Sequence, residues 1–454
     1  MKKAEHREEA FSRRALIALI LPLIAEQFLA VLVGMADTVM VSGVGDSAVA
    51  AVSTVDTLNI LFINLFSAMS AGGAVVAAQY LGHGDRNNAC AAAKQLMLST
   101  VTLALLVTAV IVSLHRPIIG LMDDGHDWTT LNQSYTYLLI TAFSYPFLGI
   151  YNGGVGLLRA MGNSKASMYT SIAMNVINIG GNALLIHVFK LGVAGAGIST
   201  LLSRVVSALV ILRIMFNDTM PIHLDSPLHQ KNYFRFDFDM IRRIFRVGIP
   251  NGLENSLFQV GKVLIMGIIT TFPTAIRAAN GICNSVSSVV NIPGSAIGLA
   301  TIAVIGQLIG ADKKEEAKRY GKKLIWLMYL SVLPLNLLLF FYAEPIVRLF
   351  NLSEAGIPVA AQIERVYAIC SILTWVPSFG LPNILRAAGD ARFTMGVSIV
   401  SMLVLRLGAS YLLVYGFGLS LLGVWIAMHL DWIARGVCFV IRFSRNTWLD
   451  KKVI

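Results

Sequence analysis

About twelve apolar stretches run along the chain, most of them longer than the roughly 20 residues a helix needs to cross a bilayer. So many cannot all be the interior of soluble domains. In hydrocarbon every backbone polar group must be satisfied within its own element, which leaves the helix as the form for segments of this length. Apolar runs between charged or Gly/Pro-rich breaks predict helices near 14–42, 49–81, 88–115, 129–159, 166–189, 193–216, 240–271, 276–309, 315–343, 359–386, 392–416 and 419–443. No segment reads as a strand. Composition agrees, with 56% of residues hydrophobic and 13% charged, more apolar than soluble domains use. The expected fold class is an all-α polytopic membrane protein.

The net charge of +11 would suit nucleic acid if the basic residues made one patch, but they alternate by loop instead. Most of the 36 Lys and Arg lie at the chain ends and in the even-numbered connections, among them Gly82–Lys94, Arg159–Lys165, Asp312–Lys323 and Arg386–Arg392. The odd-numbered connections, such as Ser42–Ser47, are nearly free of positive charge. Positive loops stay on the cytoplasmic side. The expectation is a multi-pass plasma (inner) membrane protein with both termini cytoplasmic and no nucleic-acid partner. The first apolar run follows MKKAEHREEAFSRR and continues past signal-peptide length without a small-residue cleavage site, so it is expected to be retained. Cys90, Cys283, Cys370 and Cys438 have no metal or redox spacing and read as packing residues.

The sequence repeats itself at a spacing of about 228 residues. Pro22-Leu-Ile-Ala-Glu26-Gln27 is echoed by Pro250-Asn-Gly-Leu-Glu254-Asn255, and Gln79-Tyr-Leu-Gly82 by Gln307-Leu-Ile-Gly310. Leu158-Arg-Ala-Met-Gly162 returns as Leu385-Arg-Ala-Ala-Gly389, and Phe189 to Gly195 as Phe417 to Gly423. Four echoes in one order point to a duplicated ancestor. Six helices per half is an even number, so both halves insert the same way round, and a substrate path is expected between them. The expected domains are an N-terminal lobe over 1–216, a cytoplasmic linker over 217–239 containing SPLHQKNYFRFD, and a C-terminal lobe over 240–454.

With this organisation the chain resembles the multidrug and toxic compound extrusion (MATE) family of cation-coupled exporters, prokaryotic type. The resemblance covers nearly the whole chain. It is carried by LPLIAEQFLAVLVGMADTVMVSGVG (Leu21–Gly45), by GGAVVAAQYLG at the end of the second helix, by the paired LRAMG and LRAAG turns, and by NVINIGGN in the fifth helix. It implies two six-helix bundles facing each other across a V-shaped cleft, with alternating access by rocking of the lobes about a site near the midplane.

Ionisable groups inside a bilayer cost a few kcal/mol each, so each is a functional candidate by default. Glu26 and Asp37 lie in the first helix, and eleven residues at about 100° each bring them within about 20° on one face, some 16 Å apart along the axis. Glu254 is the repeat partner of Glu26 in the seventh helix, and the two are expected to face each other across the lobes. A carboxyl taken out of water favours its neutral form, so it can load a proton and release it when the cavity opens. With neighbouring amide oxygens the same carboxylate suits Na⁺. The sequence leaves H⁺ and Na⁺ both open, and a structural ion pair is the alternative for each acid.

The resemblance makes Asp37, in the ADT segment, a cation-binding residue of the N-terminal lobe. It also implies a seventh-helix Glu, here Glu254, acting with a tenth-helix Asp. The stretch VYAICSILTWVPSFGLPNIL has no acid, so that second site is expected to be incomplete, with Glu254 working with Lys262 or Glu26 instead. Asn175, Asn178 and Asn182 align on one face of the fifth helix. The family has an Asp or Asn at the Asn182 position, and Asn152 in the fourth helix is a candidate to complete the cluster. Pro22 removes a backbone donor one turn before Glu26 and is the candidate hinge. Gln27, Asn255, Gln259, Lys262 and Phe258 are candidate substrate or supporting residues. Arg204, and Arg406 with Asp431 and Arg435, read as structural.

Acids with Met and aromatic residues suit amphipathic organic cations. Phe28, Phe62, Phe66, Met69, Met266 and Trp375 are candidate contributors beside Phe258. The expected function is therefore H⁺- or Na⁺-coupled antiport of small, cationic organic compounds by a monomer among membrane lipids. No cofactor is expected beyond the coupling ion, no catalytic residue, and no metal apart from Na⁺ at the coupling residues. The alternative from the same superfamily is a lipid-linked sugar flippase, which calls for extra helices and a basic cavity for a pyrophosphate. A membrane enzyme lacks the necessary constellations, and a channel lacks a filter-like segment.

Overall fold

A computed structural model describes residues 11–122, 127–225, 233–350 and 352–454. The first ten residues and the SPLHQKN part of the linker, at 226–232, lie outside the described residues. Twelve spans follow in order: α1 Arg13–Ser42, α2 Asp46–His83, α3 Arg86–Met122, α4 in two limbs (Trp128–Phe143 and Tyr145–Ala160), α5 Ser164–Val188 and α6 Gly192–Met215. The second half has α7 Phe238–Ile269, α8 in two limbs (Thr274–Val290 and Ile292–Gly310), α9 Lys314–Arg348, α10 Gly356–Ala388, α11 Ala391–Gly416 and α12 Ser420–Ser444. Among the described residues there is no strand.

Local chemistry sets the ends of these helices. Ser12 caps α1 by accepting from the Ala15 amide at 3.1 Å, and the Asp237 carboxylate caps α7 by accepting from the Asp239 and Met240 amides, both at 3.1 Å. The LRAMG and LRAAG echoes are helix stops. Gly162 (φ 80°) and Gly389 (φ 105°) take the left-handed conformation in which their N–H groups reach back to the carbonyls of Arg159 and Arg386, each at 2.9 Å. The next residues, Asn163 and Asp390, donate to Leu158 and Leu385 at 2.8 and 2.9 Å.

Two of the expected continuous helices are broken. α4 bends by 47° at Ser144, and α8 is interrupted at Asn291. Each break precedes a proline, Pro146 or Pro293, in the first turn of the following limb, where a missing N–H costs nothing. The tenth span also extends beyond the stretch read as acid-free: α10 contains Glu364, which is fully buried. That is a correction to the sequence reading, which passed over an acid inside its own predicted helix.

Among the described residues the two large apolar cores each draw on both halves of the chain. One is built from α7 to α12 together with Leu16, Leu19 and Leu23 of α1; the other from α1 to α6 together with Met240, Ile244 and Val247 of α7. The opening turns of α1 and α7 therefore lie in the opposite lobe. Small residues permit the approach: a Cβ on Gly72 of α2 would stand 2.6 Å from the Ile244 carbonyl oxygen and 2.7 Å from the Gly248 nitrogen of α7.

The lobes also meet at the ends of α2 and α8 that carry the basic loops. A Cβ on Gly82 would collide with the Gln307 carbonyl, and one on Gly310 with the Gln79 carbonyl. Gln79 donates across the seam to the Ala387 carbonyl at 3.1 Å, and Gln307 to the Ala160 carbonyl at 2.8 Å. Gln79 also accepts from the Val453 amide at 2.9 Å. Gly82→Ala is expected to pry this seam open. In a cysteine-free background carrying A78C, a buried seam position, labelling by a membrane-impermeant maleimide should rise severalfold. Unchanged labelling would show that the close approach is dispensable.

Candidate functional site

Two membrane-depth cavities occupy equivalent places in the two lobes. The N-terminal one, about 370 Å³, is enclosed by α1, α2, α4, α5 and α6. Asp37 of α1 accepts from Asn182 Nδ2 at 2.8 Å, and the Asn178 amide, turned so that its nitrogen faces the carboxylate, donates to both Asp37 oxygens at 2.9 and 3.2 Å. Asn175 lines the same wall. Spacings of three and four along α5 thus bring all three amides to one cavity wall, with Asn178 and Asn182 in contact with the carboxylate.

A second carboxylate, Asp56 of α2, faces this cavity. It accepts from Asn59 Nδ2 at 3.0 Å and from the Tyr137 hydroxyl at 3.4 Å, while Tyr145 donates to Asn59 Oδ1 at 2.7 Å. Arg204 of α6 is the cation of the cavity, and it donates to the Ser144 hydroxyl oxygen at 2.6 Å. The break in α4 is what turns Ser144 toward it. Two acids against one guanidinium leave this cavity net negative by one charge.

The C-terminal cavity, about 560 Å³, has the opposite balance. Glu254 faces it, with Lys262, Arg386, Arg406 and Arg435. Gln27, Asn255 and Phe258 also line it, as does Asn291 at the break in α8, which donates to the Tyr367 hydroxyl at 2.7 Å.

Glu26 and Glu254 do not face each other across the cleft. Each is buried in its own lobe and held by matching partners. Arg159 Nη2 donates to Glu26 Oε1 at 2.6 Å and the Ser167 hydroxyl donates to Oε2 at 2.9 Å. Arg386 Nη2 and the Ser398 hydroxyl donate to Glu254 Oε1, each at 2.7 Å. The two triads repeat one another, and the guanidinium of Glu254 comes from Arg386 rather than from Lys262.

The MatE family model matches residues 22–184 and 250–412, the two copies of the repeat. The chain belongs to the MatE family. Its curated relatives include the uncharacterized transporter YisQ of Bacillus subtilis (strain 168), 26% identical with 99% of each chain covered. The probable multidrug resistance protein NorM of Thermotoga maritima is 24% identical over 97% of this chain and 94% of that protein. Human multidrug and toxin extrusion protein 1 is 22% identical over 73% of this chain and 57% of that protein. The fold matches a MATE crystal structure in the straight conformation with a TM-score of 0.89 at 21% identity and 97% coverage of both chains, and an outward-facing MATE family multidrug resistance transporter with 0.88 at 20% identity and 96% coverage of both. This MatE chain is thus a multi-pass membrane protein of a transporter family.

Not every predicted residue falls at these cavities. Asn152 lines neither: its carbonyl accepts from Ser70 at 2.5 Å, on the side of α4 turned to α2. Gln259 lines neither, and Phe28 and Met266 are exposed. Phe62 and Phe66 pack on Tyr145, Met69 is core, and Trp375 lines the C-terminal cavity. Arg406 and Arg435 stand 4.0 and 3.9 Å from Asp431, the expected grouping. The acids missed are Asp56 and Glu364. Both are acids inside predicted helices, so the criterion that selected Asp37 applied to them as well. Glu364 is fully buried, with the Cys283 thiol beside it.

Proposed function

We propose that this MatE chain is a cation-coupled antiporter that exports small organic compounds, with H⁺ or Na⁺ taken up at Asp37 in the N-terminal lobe. The observation that carries the reading is the pairing of Asp37 and Asp56 in one cavity lined with amides. The donor set fits a small cation. Among the described residues Asn182 Oδ1 is buried beside Asp37 without a hydrogen-bond partner, so it can meet either the hydroxyl of a protonated Asp37 or a hard cation that favours oxygen. Asp37, Asn178, Asn182 and Asn175 form the coupling group in this reading, with Asp56 added. Glu26 and Glu254, committed to guanidinium partners, act as struts of the lobes.

With the basic loops on the cytoplasmic side, the Gln79/Gln307 seam closes that face and the arrangement is outward-facing. Export then requires the seam to part and re-form, with Pro22 and its repeat partner Pro250 as the points where α1 and α7 yield. The expectation of a cationic cargo draws its support from the two N-terminal acids, whereas four cationic side chains line the C-terminal cavity.

The deciding experiment is flux in proteoliposomes under a pH gradient and an Na⁺ gradient imposed separately. The expected result is counterflow of at least one of a panel of cationic, neutral and anionic aromatic compounds in response to one gradient, which names the ion. Absence of flux under both gradients across the panel would overturn antiport.

A further inference from the structure

The C-terminal cavity is built with more positive charge and more hydrogen-bond donors than its own residues use. Four cationic side chains line it, and two carboxylates oppose them: Glu254, already held by Arg386 and Ser398, and Asp431, fully buried behind Arg406 and Arg435. The balance is two positive charges. Lys262 has no carboxylate within ion-pair reach among the described residues, and its ammonium lies 5.3 Å from the Phe258 ring. Arg406 and Arg435 lie 5.1 and 5.9 Å from that same ring, so three cations surround one aromatic.

Arg435 is 97% buried, yet among the described residues its Nε and Nη1 have no hydrogen-bond partner, and neither does Trp432 Nε1 beside it. Buried donors left unmet cost free energy, the more so when charged, and an acceptor-rich guest removes that cost. Amides and hydroxyls such as Asn284, Ser287 and Asn383 share the lining with one flat aromatic wall: Trp375 and Phe379 stack at 5.7 Å, and Phe379 meets Trp432 edge-on at 5.0 Å. A volume of about 560 Å³ lies within the range of cavities that enclose drug-sized molecules.

We propose that this cavity binds an organic anion with an aromatic or otherwise flat apolar body, the anionic group seated among Lys262, Arg406 and Arg435 and the body against Trp375, Phe379 and Trp432. The inference rests on reading the chain as a carrier of small organic compounds and names the class carried. The two lobes share a fold but not a polarity. The acidic cavity serves the coupling ion, the basic one the cargo.

The test is equilibrium dialysis of the full-length protein in nanodiscs against two probes with one naphthalene body, naphthalene-2-sulfonate and (naphthalen-2-ylmethyl)trimethylammonium. The sulfonate is expected to bind saturably and at least tenfold more tightly. Lys262→Met should weaken the sulfonate about tenfold, and Lys262→Arg should retain it, because a charge-assisted contact is worth about a factor of ten or more. Lys262 is exposed toward the cavity, so its replacement leaves the packing intact, and the wild-type preference decides independently of any variant. Equal or tighter binding of the ammonium probe would overturn the proposal, as would sulfonate binding indifferent to Lys262→Met. Displacement of the sulfonate by geranyl pyrophosphate at lower concentration would support the anion site and assign it to a lipid head group, the flippase chemistry. Saturable sulfonate binding without gradient-driven flux would uphold the cavity and fail the antiport reading.

Discussion

Asp37→Asn is expected to abolish gradient-driven export while leaving the amount of folded protein unchanged. The amide has nearly the shape of the carboxylate, so packing against α5 survives. The charge does not. Asn182 at 2.8 Å and Asn178 at 2.9 and 3.2 Å both present N–H donors to Asp37, an arrangement that favours an oxygen acceptor with full negative charge. An amide cannot take up a proton, and as one neutral oxygen it holds Na⁺ far less well than a carboxylate. Replacement also removes one of the two acids facing Arg204 and brings the cavity to neutrality, which removes its attraction for any cation. The measurement is flux in proteoliposomes normalised to reconstituted protein, with size-exclusion profiles to establish folding. Export at the wild-type rate would remove Asp37 from coupling.

Arg159→Met is expected to destabilise the N-terminal lobe by about 3–5 kcal/mol, because it leaves Glu26 buried without its counter-charge. The double variant Glu26→Gln/Arg159→Met should recover much of that loss, since a neutral amide with the Ser167 hydroxyl still in reach no longer strands a charge. Thermal unfolding in detergent or nanodiscs reads the difference as a large drop in Tm for the single variant and a smaller one for the double. Equal drops in both would show that the pair contributes packing rather than charge compensation. The duplicate triad makes the same prediction for Arg386→Met against Glu254.

The helices were legible in the sequence because a bilayer demands a run of apolar residues that nothing else requires, and the repeat was legible because both copies kept Gln-x-x-Gly and Leu-Arg-Ala-x-Gly for packing and stopping the chain. Glu26 and Glu254 were found, but not their partners. Arg159 and Arg386 open the basic connections Arg159–Lys165 and Arg386–Arg392 and read as sidedness signals, and only the fold shows them reaching inward to Glu26 and Glu254. The breaks at Ser144 and Asn291 were foreshadowed by Pro146 and Pro293, which a hydropathy pattern alone passes over. The polarity of the C-terminal cavity was out of reach, since its cations come from α7, α10, α11 and α12 and no sequence window holds them together. Asp56 needed only the rule already applied to Asp37.

The exchange of opening turns between the lobes bears on how the chain is made. Gly72 of α2 presses on the backbone of Ile244 and Gly248, and the N-terminal core counts Met240, Ile244 and Val247 among its residues. When the ribosome has released the first six spans, that core still has an open flank on α2, facing lipid or the insertion machinery. It closes only when α7 arrives, while the opening turns of α1 wait for α8 to supply their seat. Neither half can finish alone, so quality control during synthesis must tolerate an incomplete first lobe until the second has begun.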